Sequence, residues 1–433
     1  MTSHAGPCLA ITRLGSRADG VAEDGLVVPG ALPGETVRVE PEEPGREAEG
    51  RPGGKGPRRA RLVEVVAPSP DRVAPFCPVF GACGGCAVQH LAPAPYAAWK
   101  RDLVVAALSR AGIAAPVADL VDAHGAGRRR IALHLRRIDG EARAGFMAAR
   151  SHALVPIEAC PITVPALHRA PAVARALGGP LGGGGKPLDV LVTATEGGLD
   201  VDLRGHGPAS DRARQALVRL AEDLDLARLA LHGDIVVERR APVLTAGAAA
   251  LVTPPGGFLQ ATAAGEEVLG ALVVAAVGRA KRVADLFSGS GAFSLRLAAS
   301  AAVHAVEGDG AALAALDRAA RGTPGLRGIA TERRDLFRRP LLAPELDRFD
   351  AVVFDPPRAG AEAVATRLAE SKVPVVVGVS CDAATFARDA ALLTAGGYRL
   401  DGVTPVDQFR HSPHVELVGV FRRPPARGRR GAG

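Results

Sequence analysis

The feature that most restricts the fold of this chain is a regular alternation of strand-like and helical segments after residue 255. Four short apolar runs have the composition of buried strands, at residues 282–287, 303–306, 349–354 and 373–379. Helical stretches lie among them, at residues 311–321, 361–370 and 383–395. This alternation predicts a doubly wound α/β sheet, a Rossmann-like fold that binds ligands outside the carboxyl ends of its parallel strands. Two last β-like runs, 398–406 and 415–421, are expected to add an antiparallel pair.

Two regions of different character precede this α/β domain. In residues 1–67, short apolar runs are separated by Gly, Pro and charged turns, which is typical of a small OB-like β-barrel. Residues 68–250 begin with a cysteine-rich loop and continue as mixed strands and helices, which predicts a central α+β domain. The α/β domain then spans residues 251–424, and residues 425–433 form a basic tail. Smaller expectations are a helix at 95–111 that packs on the central or on the α/β domain, and loops at 41–57 and 182–185.

The composition is that of a soluble globular protein, with 47% hydrophobic and 23% charged residues. The longest apolar stretch, at residues 268–277, is about half of the roughly 20 residues that cross a bilayer, and the N-terminus lacks the order of a secretory signal. A cytoplasmic protein without a membrane partner is therefore expected. Of the net charge of +7, five charges lie within residues 422–433, so general polyanion binding is not indicated. The tail either contacts phosphates or is a solvated end.

A glycine-rich turn follows the first strand of the α/β domain. The sequence D-L-F-S-G-S-G occupies residues 285–291, and a helix is expected after it. Glycines let the backbone approach a ligand closely, and the N-terminus of a helix offers free amides. Glu307 ends the next strand, where a carboxylate can accept hydrogen bonds from the hydroxyls of a ribose. The pattern favours the nucleoside-binding turn of S-adenosylmethionine-dependent methyltransferases over a dehydrogenase, because the fuller G-x-G-x-x-G is absent.

Three further candidates lie at strand ends. Asp355 follows the strand at 349–354 and precedes two prolines, which are expected to hold its carboxylate in the cleft, although D-P-P also ends strands for structural reasons. Cys381 ends a strand and precedes a helix whose dipole is expected to lower the pKa of the thiol. A small buried hydrophobic residue is the alternative interpretation of this cysteine. Glu416, on a late strand, can supply a base, so the two together resemble a pair for covalent catalysis.

Three of the six cysteines fall within ten residues, at Cys77, Cys83 and Cys86. In a cytoplasmic chain, such clustering indicates a metal site before disulfides. A fourth ligand is needed, and Cys160 is the plausible one besides Cys8. Four thiolates can hold zinc or an iron–sulfur cluster, and the x5 and x2 spacings favour the cluster over zinc.

Taken together, these motifs resemble the RNA uracil-5-methyltransferase family, and specifically its iron–sulfur branch that acts on 23S ribosomal RNA. The resemblance covers nearly the whole chain. The sequence V-P-G-A-L-P-G-E at 28–35 is similar to the TRAM domain of these enzymes, and V-S-C-D at 379–382 matches their nucleophile segment. H-V-E at 414–416 matches the segment that carries the base. The four [4Fe-4S] ligands of the family correspond to Cys77, Cys83, Cys86 and Cys160.

The resemblance implies a function and a set of site residues. Cys381 would add to carbon 6 of a uracil, and Glu416 would remove the proton from carbon 5 after methylation. The residues implied to bind S-adenosylmethionine, or in the case of Gln260 the cofactor or the uracil, are Gln260, Phe287, Ala292, Glu307, Asp335 and Asp355. A [4Fe-4S] cluster would be the second cofactor, with ribosomal RNA as the partner. Neither DNA nor a membrane is an expected partner, and the protein is expected to be a monomer.

Two other functions stay open. Transfer-RNA methylation would use the same chemistry, but the transfer-RNA branch of the family generally lacks both the N-terminal barrel and the cysteine cluster. A catalytically silent RNA-binding assembly factor would keep the same fold.

Overall fold

The computed structural model describes residues 6–41, 58–181 and 188–424. The basic tail and the predicted loops, apart from residue 41, lie outside the described residues. The chain separates into two compact units. One comprises Met1–Leu103, Phe146–Val155 and Phe409–Pro413, and the other comprises Val104–Gly145, Pro156–Gln408 and His414–Gly433. The predicted boundaries at residues 67 and 250 stay predictions.

The first unit begins with an antiparallel sheet of short strands. They are β1 (Cys8–Leu14), β2 (Gly20–Ala22), β3 (Val27–Val28), β4 (Thr36–Pro41) and β5 (Ala60–Ala67), in the spatial order β3-β2-β1-β4-β5. Val37 and Val39 are buried while Arg38 between them is partly exposed, because successive side chains of a strand point to opposite faces. These valines pack with Ile11 and Val28 in a small core. An isolated bridge also joins Val27 to Arg59, just before β5.

A cysteine-containing loop region and a long helix follow. The next elements in the chain are α1 (Pro93–Arg110) and β6 (Val121–Asp122). In the first unit, Tyr96 and Trp99 of α1 pack against Leu32, Val88 and Leu91. Their burial gives this unit a second small apolar cluster beside the core of the sheet.

The second unit contains a mixed sheet with two helices. Its strands are β7 (Arg130–Ile138), β8 (Glu141–Met147), β10 (Leu188–Thr195), β11 (Gly198–Arg204), β12 (Leu226–Leu231) and β13 (Asp234–Glu238), ordered β13-β12-β11-β10-β7-β8, and the short β9 (Leu154–Pro156) follows β8 in the chain. The helices are α2 (Ala170–Gly178) and α3 (Asp211–Asp223). Ser210 begins α3 by accepting a hydrogen bond from the Ala213 amide. The mixed strands expected for the central region are therefore present.

The same unit contains the doubly wound sheet. Its elements are β14 (Val243–Ala246), β15 (Ala249–Val252), α4 (Ala263–Val277), β16 (Arg282–Leu286), α5 (Ser294–Leu297), β17 (Ala302–Glu307), α6 (Gly310–Arg321), β18 (Ile329–Arg333), α7 (Ala343–Leu346), β19 (Ala351–Phe354), α8 (Glu362–Glu370), β20 (Val375–Ser380), α9 (Ala383–Ala395), β21 (Arg399–Asp407) and β22 (Glu416–Arg422). The large sheet has the order β18-β17-β16-β19-β20-β22-β21-β6, and β14 and β15 form a separate two-stranded sheet.

Both faces of this sheet are covered by helices. Val352 of β19 packs in a cluster with α8 and α9, while its neighbour Val353 packs in another cluster with α4. Strands buried on both faces are continuous apolar runs, which is why they could be read from the sequence. The predicted parallel sheet is confirmed, as is the antiparallel pairing of β22 with β20 and β21.

Two strands of the sheet were not predicted. The edge strand β18 has no buried residue, so it lacks the apolar run that marks the other strands. The two-residue strand β6 comes from well before residue 251 and pairs in parallel with β21. None of the helices in the described ranges has the length and apolar character that a bilayer crossing requires.

Candidate active site

Four of the predicted site residues meet near the carboxyl ends of the central strands. Asp355 follows β19, and Cys381 follows the neighbouring strand β20. Glu416 is the first residue of β22, which runs antiparallel to β20 with Ser380 opposite Leu417. Gln260 lies just before α4 and reaches this group through hydrogen bonds. The sheet topology therefore brings together segments that are far apart in the sequence.

A chain of side-chain hydrogen bonds links three of these residues. Gln260 Nε2 donates to Asp355 Oδ2 at 3.2 Å. Gln408, which follows β21, donates through Nε2 to Gln260 Oε1 at 2.6 Å and to Glu416 Oε2 at 2.9 Å. The Ala261 amide donates to Gln408 Oε1 at 2.9 Å. Gln408 is fully buried, so its amide orientation is set by these partners.

Burial shifts the proton affinity of both carboxyl groups. Glu416 is 2% exposed, and burial raises its pKa to about 7 against the lowering effect of the Gln408 hydrogen bond. Burial also raises the pKa of Asp355 well above its ordinary value, and the charges of Glu416 and Asp285 raise it further. The hydrogen bond from Gln260 acts in the opposite direction. The shift of Glu416 places its carboxyl group near the range in which acid–base catalysts work at neutral pH.

The expected lowering of the Cys381 pKa is wrong. Burial raises the pKa of this thiol to about 11, with further increases from the charges of Glu416 and Asp355, and only a partial reduction from Arg358. The amides at the start of α9 are used instead by the Asp382 carboxylate, which accepts from Ala384 and Thr385. A cap of this kind satisfies the first amides of a helix and places a negative charge beside them. At neutral pH, Cys381 is therefore a protonated thiol.

The glycine-rich turn has the shape that close approach of a ligand needs. Phe287, Gly289 and Gly291 all have positive φ, at 62°, 54° and 97°. A Cβ at Gly291 would lie 2.3 Å from Leu316 Cδ1, whereas a Cβ at Gly289 would meet nothing within 4 Å. Gly291 is thus needed for packing, and Gly289 borders open space. The expected helix after the turn, α5, is only four residues long.

Polar groups around the turn can hold a nucleoside cofactor. Glu307 accepts hydrogen bonds from the amides of Gly289 at 3.0 Å and Asp309 at 2.9 Å, which orient its carboxylate. Asp285 is buried, and burial raises its pKa to about 7, opposed by the hydrogen bond from Ser294. Within the described part of the chain, Asp285 Oδ1 and Ser288 Oγ are buried without a hydrogen-bond partner. Buried polar atoms of this kind suit a polar ligand.

The other predicted cofactor residues lie in or near this turn. Ala292 is partly buried directly after Gly291. The ring of Phe287 contacts that of Phe337, with centroids 5.3 Å apart. Asp335 is exposed two residues after β18 and accepts a hydrogen bond from the Phe337 amide at 3.0 Å. Because β18, β17 and β16 are adjacent and parallel, these residues follow the same edge of the sheet.

Two residues with contacts in this region were not predicted from the sequence. Gln408 is a buried amide that touches two predicted site residues. Arg358 faces His414, with Nη2 and Nε2 3.2 Å apart, and lowers the pKa of Cys381. Gln408 had one signal, a polar side chain just after a predicted strand. That signal alone is typical of many strand ends.

The clustered cysteines of the first unit are the predicted metal ligands. Cys77, Cys83 and Cys86 are partly buried, and no disulfide forms among the described cysteines. Burial raises the pKa of Cys83, as does the nearby Cys77, while a hydrogen bond from the Gly85 amide lowers it. Among residues 6–41, 58–181 and 188–424, no group of three or more His, Cys, Asp or Glu is arranged to hold a metal ion.

Comparisons with known proteins agree with the fold. No model of a protein family matches the chain. A Brucella suis protein named as an uncharacterized RNA methyltransferase is 46% identical over 426 residues, covering 98% of this chain and 99% of that protein. The 23S rRNA (uracil(1939)-C(5))-methyltransferase of Chromohalobacter salexigens is 34% identical over 444 residues, covering 97% of this chain and 90% of that enzyme. The crystal structure of Pyrococcus abyssi tRNA (uracil-54, C5)-methyltransferase with S-adenosyl-L-homocysteine has the same fold, with a TM-score of 0.72 at 22% identity over 96% of this chain and 100% of that one.

Proposed function

Since the chain belongs to the RNA methyltransferase family, we propose that it methylates carbon 5 of a uridine in ribosomal RNA. The observation that carries this proposal is the meeting of a thiol, two carboxyl groups and an amide at one sheet edge, in Cys381, Asp355, Glu416 and Gln260. The uracil specificity in the name of the Chromohalobacter salexigens relative supports the substrate class.

The proposed reaction needs a nucleophile because carbon 5 of uracil is itself weakly nucleophilic. The partly buried Cys381 thiol releases its proton to solvent, its sulfur adds to carbon 6, and the electron pair of the carbon 5–carbon 6 double bond moves toward the carbonyl at carbon 4. Gln260 and Asp355 would hold that oxygen by hydrogen bonds while its charge develops. A high pKa keeps the Asp355 carboxyl able to donate such a bond. S-adenosylmethionine, when bound, supplies an electrophilic methyl group to carbon 5.

Glu416 is the proposed base that completes the reaction. It would take the proton from carbon 5, after which the carbon–sulfur bond breaks and frees Cys381. A base needs a pKa near the working pH, and the value of about 7 for Glu416 meets that requirement. The target base has to leave its stack to reach this group of residues.

We further propose that the cofactor is held by the residues of the glycine-rich turn and its neighbours, Phe287, Ala292, Glu307, Asp335 and Asp355, with Gln260 as a cofactor or uracil contact. The open space at Gly289 and the unpartnered buried oxygens of Asp285 and Ser288 support a polar ligand there within the described chain. Binding of S-adenosylmethionine measured by calorimetry on Glu307→Ala and on the wild type tests this assignment.

We also propose that Cys77, Cys83, Cys86 and Cys160 bind a [4Fe-4S] cluster, and that residues 1–67 form a TRAM-like barrel. Thiolates are suitable ligands for iron–sulfur clusters, and Cys77 is near enough to Cys83 for its charge to raise the pKa of that thiol. The cluster would stabilise the region for RNA binding and take no part in methyl transfer. Iron and sulfide analysis of anaerobically purified protein, with Cys83→Ala as the comparison, tests the ligands. Full iron content in Cys83→Ala would contradict them.

The substrate is tested by methyl transfer. Labelled S-adenosylmethionine is incubated with the protein and deproteinised ribosomal RNA or bulk transfer RNA, and mass spectrometry locates 5-methyluridine in the product. Label in ribosomal RNA, and its loss with Cys381→Ala, is the expected result. Label confined to transfer RNA would make the ribosomal assignment wrong, and no transfer to either RNA would point to a silent binding protein.

A further inference from the structure

Gln408 contacts the proposed site but has no role in the proposed reaction. This side chain is completely buried and contacts two of the proposed site residues with the same nitrogen atom. One Nε2 hydrogen points to Gln260 Oε1 at 2.6 Å and the other to Glu416 Oε2 at 2.9 Å. A primary amide has two N–H donors, so both are used.

The direction of the Gln408 amide is fixed by the backbone. The Ala261 amide is a donor and requires an acceptor, which is Gln408 Oε1 at 2.9 Å. An inverted amide would direct N–H groups at the Ala261 N–H and its oxygen at the Glu416 and Gln260 oxygens, so three hydrogen bonds would be lost. Buried polar groups left unpaired in this way are costly. Gln408 therefore presents N–H groups, and only N–H groups, to Gln260 and Glu416.

This fixed direction determines how Gln260 can bind a ligand. Because Gln260 Oε1 accepts from Gln408, the Nε2 end of the Gln260 amide is turned the other way. One of its hydrogens goes to Asp355 Oδ2 at 3.2 Å, and the second has no acceptor within the described parts of the chain, which leaves it for a substrate. Asp355 alone would not fix the orientation of the Gln260 amide, since a protonated Asp355 can donate to Gln260 Oε1 as well as accept from Nε2.

We propose that Gln408 is a positioning residue that holds the Gln260 amide with its N–H directed at the 4-carbonyl oxygen of the target uracil. The proposal rests on the function proposed above, in which addition of Cys381 to carbon 6 develops negative charge on that oxygen. A locked N–H at this position donates a hydrogen bond to a carbonyl oxygen and stabilises its developing charge, whereas it opposes the amino group that cytosine carries at the same ring position. Gln408 thereby contributes to the selection of uracil.

The second hydrogen bond of Gln408 acts on Glu416. It stabilises the carboxylate, so its loss is expected to raise the pKa of Glu416. The other charged or titratable groups that interact with this site are Asp355 and Cys381, with Arg358 on the cysteine side and Asp285 on the Asp355 side. None of these is changed by a substitution at Gln408, so a shift of the acid limb of the pH–rate profile to higher pH reports on this hydrogen bond.

The test uses the full-length protein and a change of one substrate atom. Synthetic RNA is made with either uridine or 4-thiouridine at the mapped target, because sulfur is the weaker hydrogen-bond acceptor. Methylation rates at saturating S-adenosylmethionine are measured for the wild type and Gln408→Met, which has a similar length and no N–H group. Val403→Ala, a buried apolar change on β21, is the matched control because it alters packing without removing a side-chain hydrogen bond.

The wild type is expected to slow about tenfold on 4-thiouridine. Gln408→Met is expected to methylate uridine about 10- to 100-fold more slowly and to be nearly indifferent to the sulfur substitution. Val403→Ala should keep the wild-type ratio between the two RNAs. A merely structural role for Gln408 would lower both rates equally and leave that ratio unchanged, which would overturn the proposal.

The same measurements distinguish failure of the proposed function from failure of the role proposed for Gln408. If the wild type transfers no methyl group to uridine, the proposed function fails, whereas an active wild type with an unchanged ratio in Gln408→Met overturns only the role of Gln408. Folding of each variant is checked by thermal melting. If Gln408→Met does not fold, Gln408→Glu has the same shape and can accept from Ala261 but cannot donate to both partners, so the same loss of the sulfur effect is expected.

Discussion

Replacement of Glu416 by glutamine is expected to have opposite effects on the two halves of the proposed reaction. The negative charge of Glu416 raises the pKa of the Cys381 thiol, after the larger effect of burial. Glu416→Gln removes this charge and keeps the shape of the side chain. The thiol should therefore ionise more easily in the variant, although the variant has lost the base proposed for the last step.

The gain in the ionised fraction of Cys381 has an upper limit that follows from its pKa. A thiol with a pKa of about 11 is only about 0.03% ionised at pH 7.5. If the substitution returned the pKa to the reference value of 9.0, the ionised fraction would reach about 3%, roughly a hundredfold gain. Burial remains in the variant and is the larger cause, so an increase of about 3- to 10-fold is expected.

Alkylation by iodoacetamide measures the ionised fraction directly. The rate is followed for the Cys381 peptide by mass spectrometry between pH 6 and pH 10, with the exposed Cys8 in the same molecule as an internal reference. In the wild type, the Cys381 rate should still be rising at pH 10. A plateau near pH 8, or an unchanged rate in Glu416→Gln, would refute the reasoning. In the same variant, RNA should accumulate as a covalent adduct because the carbon 5 proton stays in place.

Three further expectations concern stability. Gly291→Ala should destabilise the protein by about 1–3 kcal/mol in thermal melting, because its Cβ would lie 2.3 Å from Leu316 Cδ1; Gly289→Ala, with open space around it, is the milder control. Arg129→Met should lower the free energy of unfolding in urea by about 3 kcal/mol, because Arg129 is buried, pairs with Glu266 and donates to the Gln260 carbonyl. A loss below 1 kcal/mol would contradict this. Burial raises the Asp285 pKa to about 7, so the protonated carboxyl contributes up to about 4 kcal/mol to the free energy of unfolding. This contribution is full below pH 4 and is lost as the pH rises to 7. Asp285→Asn should flatten that part of the curve of unfolding free energy against pH.

The sequence was sufficient to predict the doubly wound sheet because its inner strands are buried on both faces. Apolar runs such as the one that forms β20 are visible without any knowledge of their neighbours. The edge strand β18 has no buried residue and gave no such signal. The positions of Asp355 and Cys381 could be inferred for the same reason, since strand ends follow from the strands.

What the sequence did not provide were properties set by distant neighbours. The direction of the Cys381 pKa was predicted from the helix that follows it, whereas Glu416, on another strand, raises it. Gln408 became visible only through its contacts with Gln260 and Glu416. Local pattern identifies candidate groups, and tertiary packing decides their charge and direction.

The acidic cap of α9 has a consequence for the lifetime of the enzyme. Because Asp382 occupies the first amides of that helix, the adjacent sulfur lacks the activation that makes many reactive cysteines vulnerable to peroxide. A neutral sulfhydryl is oxidised to sulfenic acid far more slowly than its anion. The Cys381 thiol is therefore expected to resist oxidation while the protein is not bound to a substrate.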